Sequence, residues 1–229
     1  MTANFSDSRP RPMSVDDLIK KLTALRVVPV AVIDDATRAQ PLADALVAGG
    51  LPCVEITLRT AEGEAALRAI AKRDDILVGA GTVLTPADVD RVAGAGVSFV
   101  VSPGFSIDVV RRAAELGLPA IPGVANASDL QAASSAGLRA VKLFPADQLG
   151  GLPMLSALAA PFPDMRFMPS GGINAANAPD YLAHPAVFAV GGSWMIPRGL
   201  IAGREFDQLR RQVARAVSWL VEAEGSLAG

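Results

Sequence analysis

The sequence predicts an α/β chain folded as a single (β/α)8 barrel with an extra helix at its N-terminus. Three observations carry that expectation. Eight short apolar runs alternate with amphipathic stretches, and their starts recur about every 23 residues. That interval is close to the smallest strand–turn–helix unit that returns to form a parallel neighbour. Hydrophobic residues make up 51% of the 229-residue chain and charged residues 19%, enough apolar surface for a large core. Glycine-rich turns follow the last two runs instead of the first, whereas an open doubly wound sheet carries its phosphate-cradling glycines after its first strand.

Residues 1–12 are polar, contain Pro10 and Pro12, and lack the apolar stretch of a secretory signal. They read as a flexible extension ahead of one barrel domain spanning 13–229. Ser14-Val15-Asp16-Asp17 resembles a capping box and opens a helix reaching about Arg26. The runs that follow are Val27–Ile33, Cys53–Leu58, Ile76–Thr82, Phe99–Gly104, Pro119–Val124, Ala140–Ala146, Arg166–Gly172 and Val187–Trp194. Helix starts stand between them at Thr85-Pro86-Ala87-Asp88, Ser106 and Asn126, where a side-chain oxygen can accept a first-turn N–H. Gly49, Gly96, Gly117 and Gly137 suit helix ends. Pro179 lies where the seventh helix belongs, so that helix is expected to begin near Asn177 or Pro179. Glu205 to Ala223 places Phe206, Leu209, Val213, Val217 and Leu220 on one face of a long terminal helix.

Several function classes are disfavoured by composition. A net charge of −2 argues against nucleic-acid or anionic-membrane partners. One cysteine leaves no internal disulfide and no thiolate metal cage, and fits a reducing cytoplasm. The single histidine, His184, falls in a helix-to-strand loop away from the catalytic end, and the usual multi-histidine metal sites are absent. No apolar run approaches the roughly 18 residues of a membrane span.

Side chains alternate across a strand, and the apolar set belongs against the helices. In the second run Val54, Ile56 and Leu58 form that set, so Glu55 points into the barrel and Arg59 stands at its C-terminal rim. Cys53 shares the inward face and reads as a small core residue. In the sixth run Val141 and Leu143 face outward, which turns Lys142 inward. Lysine is scarce, with 4 residues against 17 arginines, and only Lys142 lies within an apolar strand. An ammonium inside a barrel is costly unless it is paired or gives up its proton, and the free amine is a nucleophile. A structural Lys142–Glu55 ion pair and a functional pair both satisfy this placement. Thr82, at the end of Gly79-Ala80-Gly81-Thr82, and Pro103, in Ser102-Pro103-Gly104, are further inward candidates. The turns Ser170-Gly171-Gly172 and Gly191-Gly192-Ser193 occupy the two positions where barrels commonly bind phosphate with backbone N–H groups.

In order along the chain stand Val54–Thr60, Val78–Leu84, Ser102–Gly104, Ile121–Val124, Lys142–Ala146, Pro169–Ile173 and Gly191–Trp194. This set resembles the KDPG/KHG aldolase family, class I aldolases on a (β/α)8 (TIM) barrel, over about Ser14 to Ala223. The resemblance implies cleavage of 2-dehydro-3-deoxy-6-phosphogluconate to pyruvate and glyceraldehyde 3-phosphate, as in the Entner-Doudoroff pathway. It implies that Lys142 forms the Schiff base and Glu55 transfers the proton. Arg59 and Thr82 match positions that hold the pyruvoyl carboxylate, and Pro103 and Phe144 match pocket walls. Gly171, Gly172, Gly191 and Ser193 fall at the substrate-phosphate site. A homotrimer needing no metal or other cofactor is implied as well. Ser170 stands where Thr is frequent in the family, Leu143 where Phe is frequent and Asp147 where Glu is frequent. Substrates left open are 4-hydroxy-2-oxoglutarate and the galactonate epimer. A barrel isomerase or synthase using Glu55 and Lys142 as acid and base, and a non-catalytic phosphosugar-binding barrel, are the readings outside the family.

Overall fold

A computed structural model of the protein describes residues 13–227, with side chains described through residue 219. The expected flexible extension over 1–12 lies outside the described residues. Helix α1 (Val15–Leu25) opens where Ser14 Oγ accepts the Asp17 N–H at 3.0 Å, as its sequence signal predicts. Strand β1 (Val27–Ala31), a 3-10 turn (Ala36–Arg38) and α2 (Ala39–Ala48) follow. Then come β2 (Cys53–Thr57), α3 (Gly63–Ile70), β3 (Leu77–Gly81), α4 (Pro86–Ala95), β4 (Phe99–Val101) and α5 (Ile107–Glu115). The fifth expected strand is divided into β5 (Ala120–Ile121) and β6 (Gly123–Val124), ahead of α6 (Ala127–Ser135). The chain continues through β7 (Ala140–Leu143), α7 (Gly151–Ala159), β8 (Arg166–Phe167), α8 (Ala178–Ala183), β9 (Val190–Gly192), α9 (Arg198–Ala202) and α10 (Phe206–Leu227).

The local signals act where they were read. Thr85 Oγ1 accepts the Asp88 N–H at 3.1 Å while the Asp88 carboxylate accepts the Thr85 N–H at 3.0 Å, a reciprocal cap on α4. Ser106 and Asn126 cap α5 and α6 with a single bond each, their side-chain oxygens accepting the N–H groups of Val109 and Asp129. Gly96, Gly117 and Gly137 adopt the left-handed conformation just past their helices. After α2 that role passes to Gly50, while Gly49 ends the helix with φ −83°. Gly49 is needed for a different reason, since a methyl group there would press on Val213 of α10. Helix α8 begins at Ala178 with Pro179 in its first turn, matching the expected late start.

All strand pairs are parallel, and they form two sheets in the orders β5-β4-β3-β2-β1-β9 and β6-β7-β8. The sequence reading expects one uninterrupted barrel sheet; the break has a chemical cause. Pro122 separates β5 from β6 and has no N–H to give a ladder, although its carbonyl still accepts the Lys142 N–H at 2.8 Å. Pro169 similarly shortens the seventh expected strand to Arg166–Phe167, while its carbonyl accepts the Gly191 N–H at 2.9 Å.

Two buried apolar clusters follow the two faces of the strands. Val27, Val54, Ile56, Val100, Val141 and Leu143 pack among the helices. Their neighbours of opposite parity, Val28, Cys53, Phe99, Val101, Ile121, Ala140 and Met168, form an inner cluster with Leu18 and Leu22 of α1. Most of these inner residues stand at or near the first residue of their strands, so α1 covers the N-terminal end of the inner core. Glu55 and Lys142 have the inner parity. Among the described residues no helix is long and apolar enough to cross a membrane.

Candidate active site

Glu55 sits in the middle of β2, paired in register with Val30 on one side and Gly79 on the other. Its carboxylate occupies space that Gly81 leaves free, because a methyl group at Gly81 would overlap the carboxyl group. Gly79 makes the same allowance for the Phe99 ring. These glycines therefore serve packing inside the strands, with Gly81 also shaping the site. Lys142 lies in β7 opposite Gly123 of β6. Its Nζ donates to Glu55 Oε1 at 3.1 Å and Oε2 at 3.3 Å, and it lies 5.4 Å from the centre of the Phe144 ring. Both side chains are almost fully buried, Glu55 at 1% and Lys142 at 6% exposure.

A buried ion pair of this kind is weak as a stability device. The cost of desolvating both charges offsets their attraction, and an apolar pair of similar volume is often as stable. The geometry does suit chemistry. An amine and a carboxyl group in hydrogen-bond contact can exchange a proton without solvent, leaving the amine as nucleophile and the carboxylic acid as proton donor.

Above the pair, toward the C-terminal ends of the strands, lies a cavity of about 180 Å³. Seven of the expected site residues line it: Arg59, Lys142, Phe144, Gly171, Gly172, Gly191 and Ser193. Glu55 reaches the cavity through Lys142. Arg59 is exposed and makes no hydrogen bond or ion pair to another described residue, so its guanidinium is available to an anion. Thr82 and Pro103 stand on the same rim but do not line the cavity. Thr82 follows the last residue of β3 and holds φ +60°, a strained conformation for a β-branched residue of the kind found at functional sites. Pro103 backs onto Gly123, the ladder partner of Lys142; a side chain at Gly123 would overlap the Pro103 carbonyl.

The two glycine turns form the far wall. Gly171 and Gly172 hold φ +87° and +85°. The Ser170 and Gly171 carbonyls are occupied, accepting the Ala146 N–H at 2.8 Å and the Asp147 N–H at 3.0 Å. Asp147 packs so closely that any side chain at Gly172 would overlap it. The N–H groups of Gly171, Gly172 and Ile173 have no hydrogen-bond partner among the described residues, and successive free N–H groups of this kind make an anion-binding concavity.

Val30, Ser170, Ile173 and Gly192 also line the cavity and were not among the expected site residues. Ser170 and Gly192 belong to turns that the sequence flags, so their neighbours were the available signal. Val30 and Ile173 are apolar and carry no signal beyond strand parity and adjacency. Two residues with reactive side chains prove structural. Cys53 is fully buried in the inner cluster, where burial and then the nearby Glu55 charge push its thiol far above the usual range. His184 ends α8, and its Nδ1 accepts the Ala186 N–H at 3.2 Å. Among the described residues no three His, Cys, Asp or Glu side chains come together as a metal site would require.

A family profile described as KDPG and KHG aldolase matches residues 18–212. The chain is 45% identical over 193 residues to the 2-dehydro-3-deoxy-phosphogluconate aldolase of Treponema pallidum, covering 84% of this chain and 92% of that one. It is 43% identical over 197 residues to the KHG/KDPG aldolase of Escherichia coli K12, covering 86% and 92%. Among solved structures, it is similar to a KDPG aldolase from Legionella pneumophila with pyruvate captured at low pH as a covalent carbinolamine intermediate. That match has a TM-score of 0.84 at 38% identity and covers 89% of this chain and 98% of that one.

Proposed function

The chain belongs to the KDPG and KHG aldolase family, and from that premise we propose that its cavity performs class I aldol cleavage of 2-dehydro-3-deoxy-6-phosphogluconate. The observation that carries the mechanism is the buried contact of Lys142 Nζ with the Glu55 carboxylate at 3.1 Å beneath a cavity lined by Arg59 and the two glycine turns.

The reaction begins when Lys142 passes a proton to Glu55 and attacks the C2 ketone as a free amine. Glu55 returns the proton to the carbinolamine hydroxyl, water leaves, and an iminium forms between Lys142 Nζ and C2. The carboxylate then takes the C4 hydroxyl proton, directly or through a water. As the C4 carbonyl forms, the C3–C4 bonding electrons move into the iminium, giving an enamine and releasing glyceraldehyde 3-phosphate. Protonation at C3 and hydrolysis release pyruvate and restore the amine. The iminium thereby avoids a free carbanion. The carbinolamine of pyruvate in the Legionella relative supports this sequence of events.

Arg59 is assigned to the substrate carboxylate, which its planar fork can hold through two parallel hydrogen bonds. Thr82 is assigned to the same group from the rim, and Pro103 and Phe144 to the walls around the pyruvoyl unit. The free N–H groups at Gly171 and Gly172, together with Gly191 and Ser193, are assigned to the phosphate. The glycine turns favour a phosphorylated substrate over 4-hydroxy-2-oxoglutarate.

The strands are read as one closed (β/α)8 barrel. Single parallel bridges, Phe167 to Val187 and Ser170 to Gly191, link the three-stranded sheet toward β9, and only Pro122 separates β5 from β6, which supports closure. The resemblance extends the proposal to a cytoplasmic homotrimer needing no cofactor, and a monomeric mass by light scattering would reject the trimer.

Borohydride reduction in the presence of pyruvate tests the central step. A stable mass increment on the peptide containing Lys142 is expected. Fully active protein without that adduct rejects the Schiff base.

A further inference from the structure

Two consecutive glycines at positive φ form a flexible wall, since each can swing its peptide plane at little steric cost. Three successive carbonyls, those of Ser170, Gly171 and Gly172, must point away from the cavity if the N–H groups of Gly171, Gly172 and Ile173 are to point toward it, because C=O and N–H oppose each other across a trans peptide. Backbone N–H groups of Ala146 and Asp147 hold the first two. The third is held by side chains. Asn177 Nδ2 donates to the Gly172 carbonyl at 3.1 Å, and Asn174 Nδ2 donates to the same oxygen at 3.3 Å.

The other halves of these carboxamides are engaged as well. Asn177 Oδ1 accepts the Asn174 N–H at 2.8 Å. Asn174 Oδ1 accepts the N–H groups of Ala176 at 2.9 Å and Asn177 at 3.3 Å. Each side chain thus faces its Nδ2 toward Gly172 because its oxygen is committed elsewhere.

Asn177 also departs from local rule. It occupies the position before α8, where an Asn side-chain oxygen ordinarily accepts a first-turn N–H, yet it makes no such cap. Pro179 accounts for part of this, since it removes one of the N–H groups that a cap would satisfy. Asn177 Oδ1 instead accepts the Asn174 N–H, and that choice turns Nδ2 onto the Gly172 carbonyl of the site loop.

We propose that Asn174 and Asn177 are positioning residues that clamp the Gly172 carbonyl outward and so set the anion-binding face of the Ser170–Ile173 turn. Neither touches the substrate. The inference rests on the aldolase reading for the identity of the anion as a phosphate monoester, but the clamp itself is independent of the Schiff base.

The test compares two double variants, N174D/N177D and N174A/N177A, with the unaltered enzyme. The aspartates keep each Oδ1 acceptor but replace each Nδ2 donor with an anionic oxygen, and the alanines remove the clamp without adding charge. Both pairs should raise KM for the phosphorylated substrate about tenfold, equivalent to roughly 1.4 kcal/mol. For unphosphorylated 2-dehydro-3-deoxygluconate, kcat/KM should stay within about twofold, and pyruvate should still be trapped on Lys142. Phosphorus NMR should show inorganic phosphate binding the unaltered protein and losing affinity for both variants. Equal losses on both substrates, an unaltered KM, or a loss confined to the aspartate pair would each overturn the clamp. If a double variant does not fold, the single change Asn174→Ala at its exposed position carries the same KM comparison. A protein that forms no pyruvate adduct loses the aldolase reading alone, since the phosphate titration still decides the clamp.

Discussion

Lys142 Nζ lies 3.1 Å from Glu55 Oε1 although 87 residues separate them in the chain. Strands β2 and β7 belong to different sheets, so no ladder hydrogen bonds enforce the contact. It forms because both side chains have the inner parity and Gly81 leaves room for the carboxylate. The pair is therefore a product of the whole strand arrangement and sensitive to either partner.

That dependence predicts a non-additive stability cycle. Lys142→Met strands a buried carboxylate and should cost about 3 kcal/mol in urea unfolding. The double change Lys142→Met with Glu55→Leu removes both charges and should recover most of that loss. Activity should be absent in both. Additive losses in the double variant would show that the two charges do not stabilise each other.

Glu55→Gln separates proton transfer from amine chemistry. The amide keeps the shape of the side chain but cannot accept the C4 hydroxyl proton. Turnover should fall by roughly 10²–10⁴, while pyruvate is still trapped on Lys142 by borohydride. A pyruvate-release assay coupled to lactate dehydrogenase reads the first quantity and peptide mass the second. Unaltered turnover would remove Glu55 from the reaction.

Much of this site was legible because it depends on period-two alternation within short strands. Parity alone turned Glu55 and Lys142 inward, and the caps at Ser14, Thr85, Ser106 and Asn126 are local patterns that tertiary packing did not override. What alternation cannot convey is distance across the barrel interior, so the contact between the pair had to come from the structure. The sheet break at Pro122 is written in the chain as a missing donor, but a continuous apolar run conceals it. Thr82 and Pro103 show the converse limit: the strand pattern makes them inward candidates, but their place outside the cavity depends on the path of the chain after β3 and β4. Asn174 and Asn177 escaped notice because asparagine before a helix normally reads as a cap.

The reciprocal cap on α4 predicts a specific pH dependence. Burial raises the tendency of Asp88 to hold a proton, but the N–H groups of Leu84 and Thr85, the Thr85 hydroxyl and the Arg91 charge outweigh it and hold the carboxyl below its ordinary range. A carboxyl that binds its proton less readily when folded adds stability above its unfolded pKa, and that stability is lost as pH falls through the folded one. Asp88→Asn should therefore destabilise by about 1 kcal/mol at pH 7, and the gap from the unaltered protein should narrow as pH falls below about 4, the ordinary carboxyl range. Unfolding midpoints measured across that range check the sign. A gap that stays constant or widens in acid would contradict it.

Two glycine-to-alanine changes should act in opposite directions for reasons that the surroundings supply. Gly94 lies within α4 with open space around the position of a side chain, so Gly94→Ala should stabilise by about 0.5–1 kcal/mol and leave kinetics unchanged. Gly81 ends β3 directly against the Glu55 carboxylate. There the added methyl must displace either the strand or the Glu55 carboxylate, and overpacking of this kind costs roughly 1–3 kcal/mol. Because the nearest atoms belong to the Glu55 side chain, the displacement should fall on the carboxylate. Gly81→Ala should then resemble Glu55→Gln, with kcat reduced and pyruvate trapping retained, beyond what its loss of stability explains at a temperature where it is fully folded. A folded Gly81→Ala enzyme with unaltered kcat would mean that the carboxylate tolerates displacement from its contact with Lys142, and that their close approach is dispensable to the reaction.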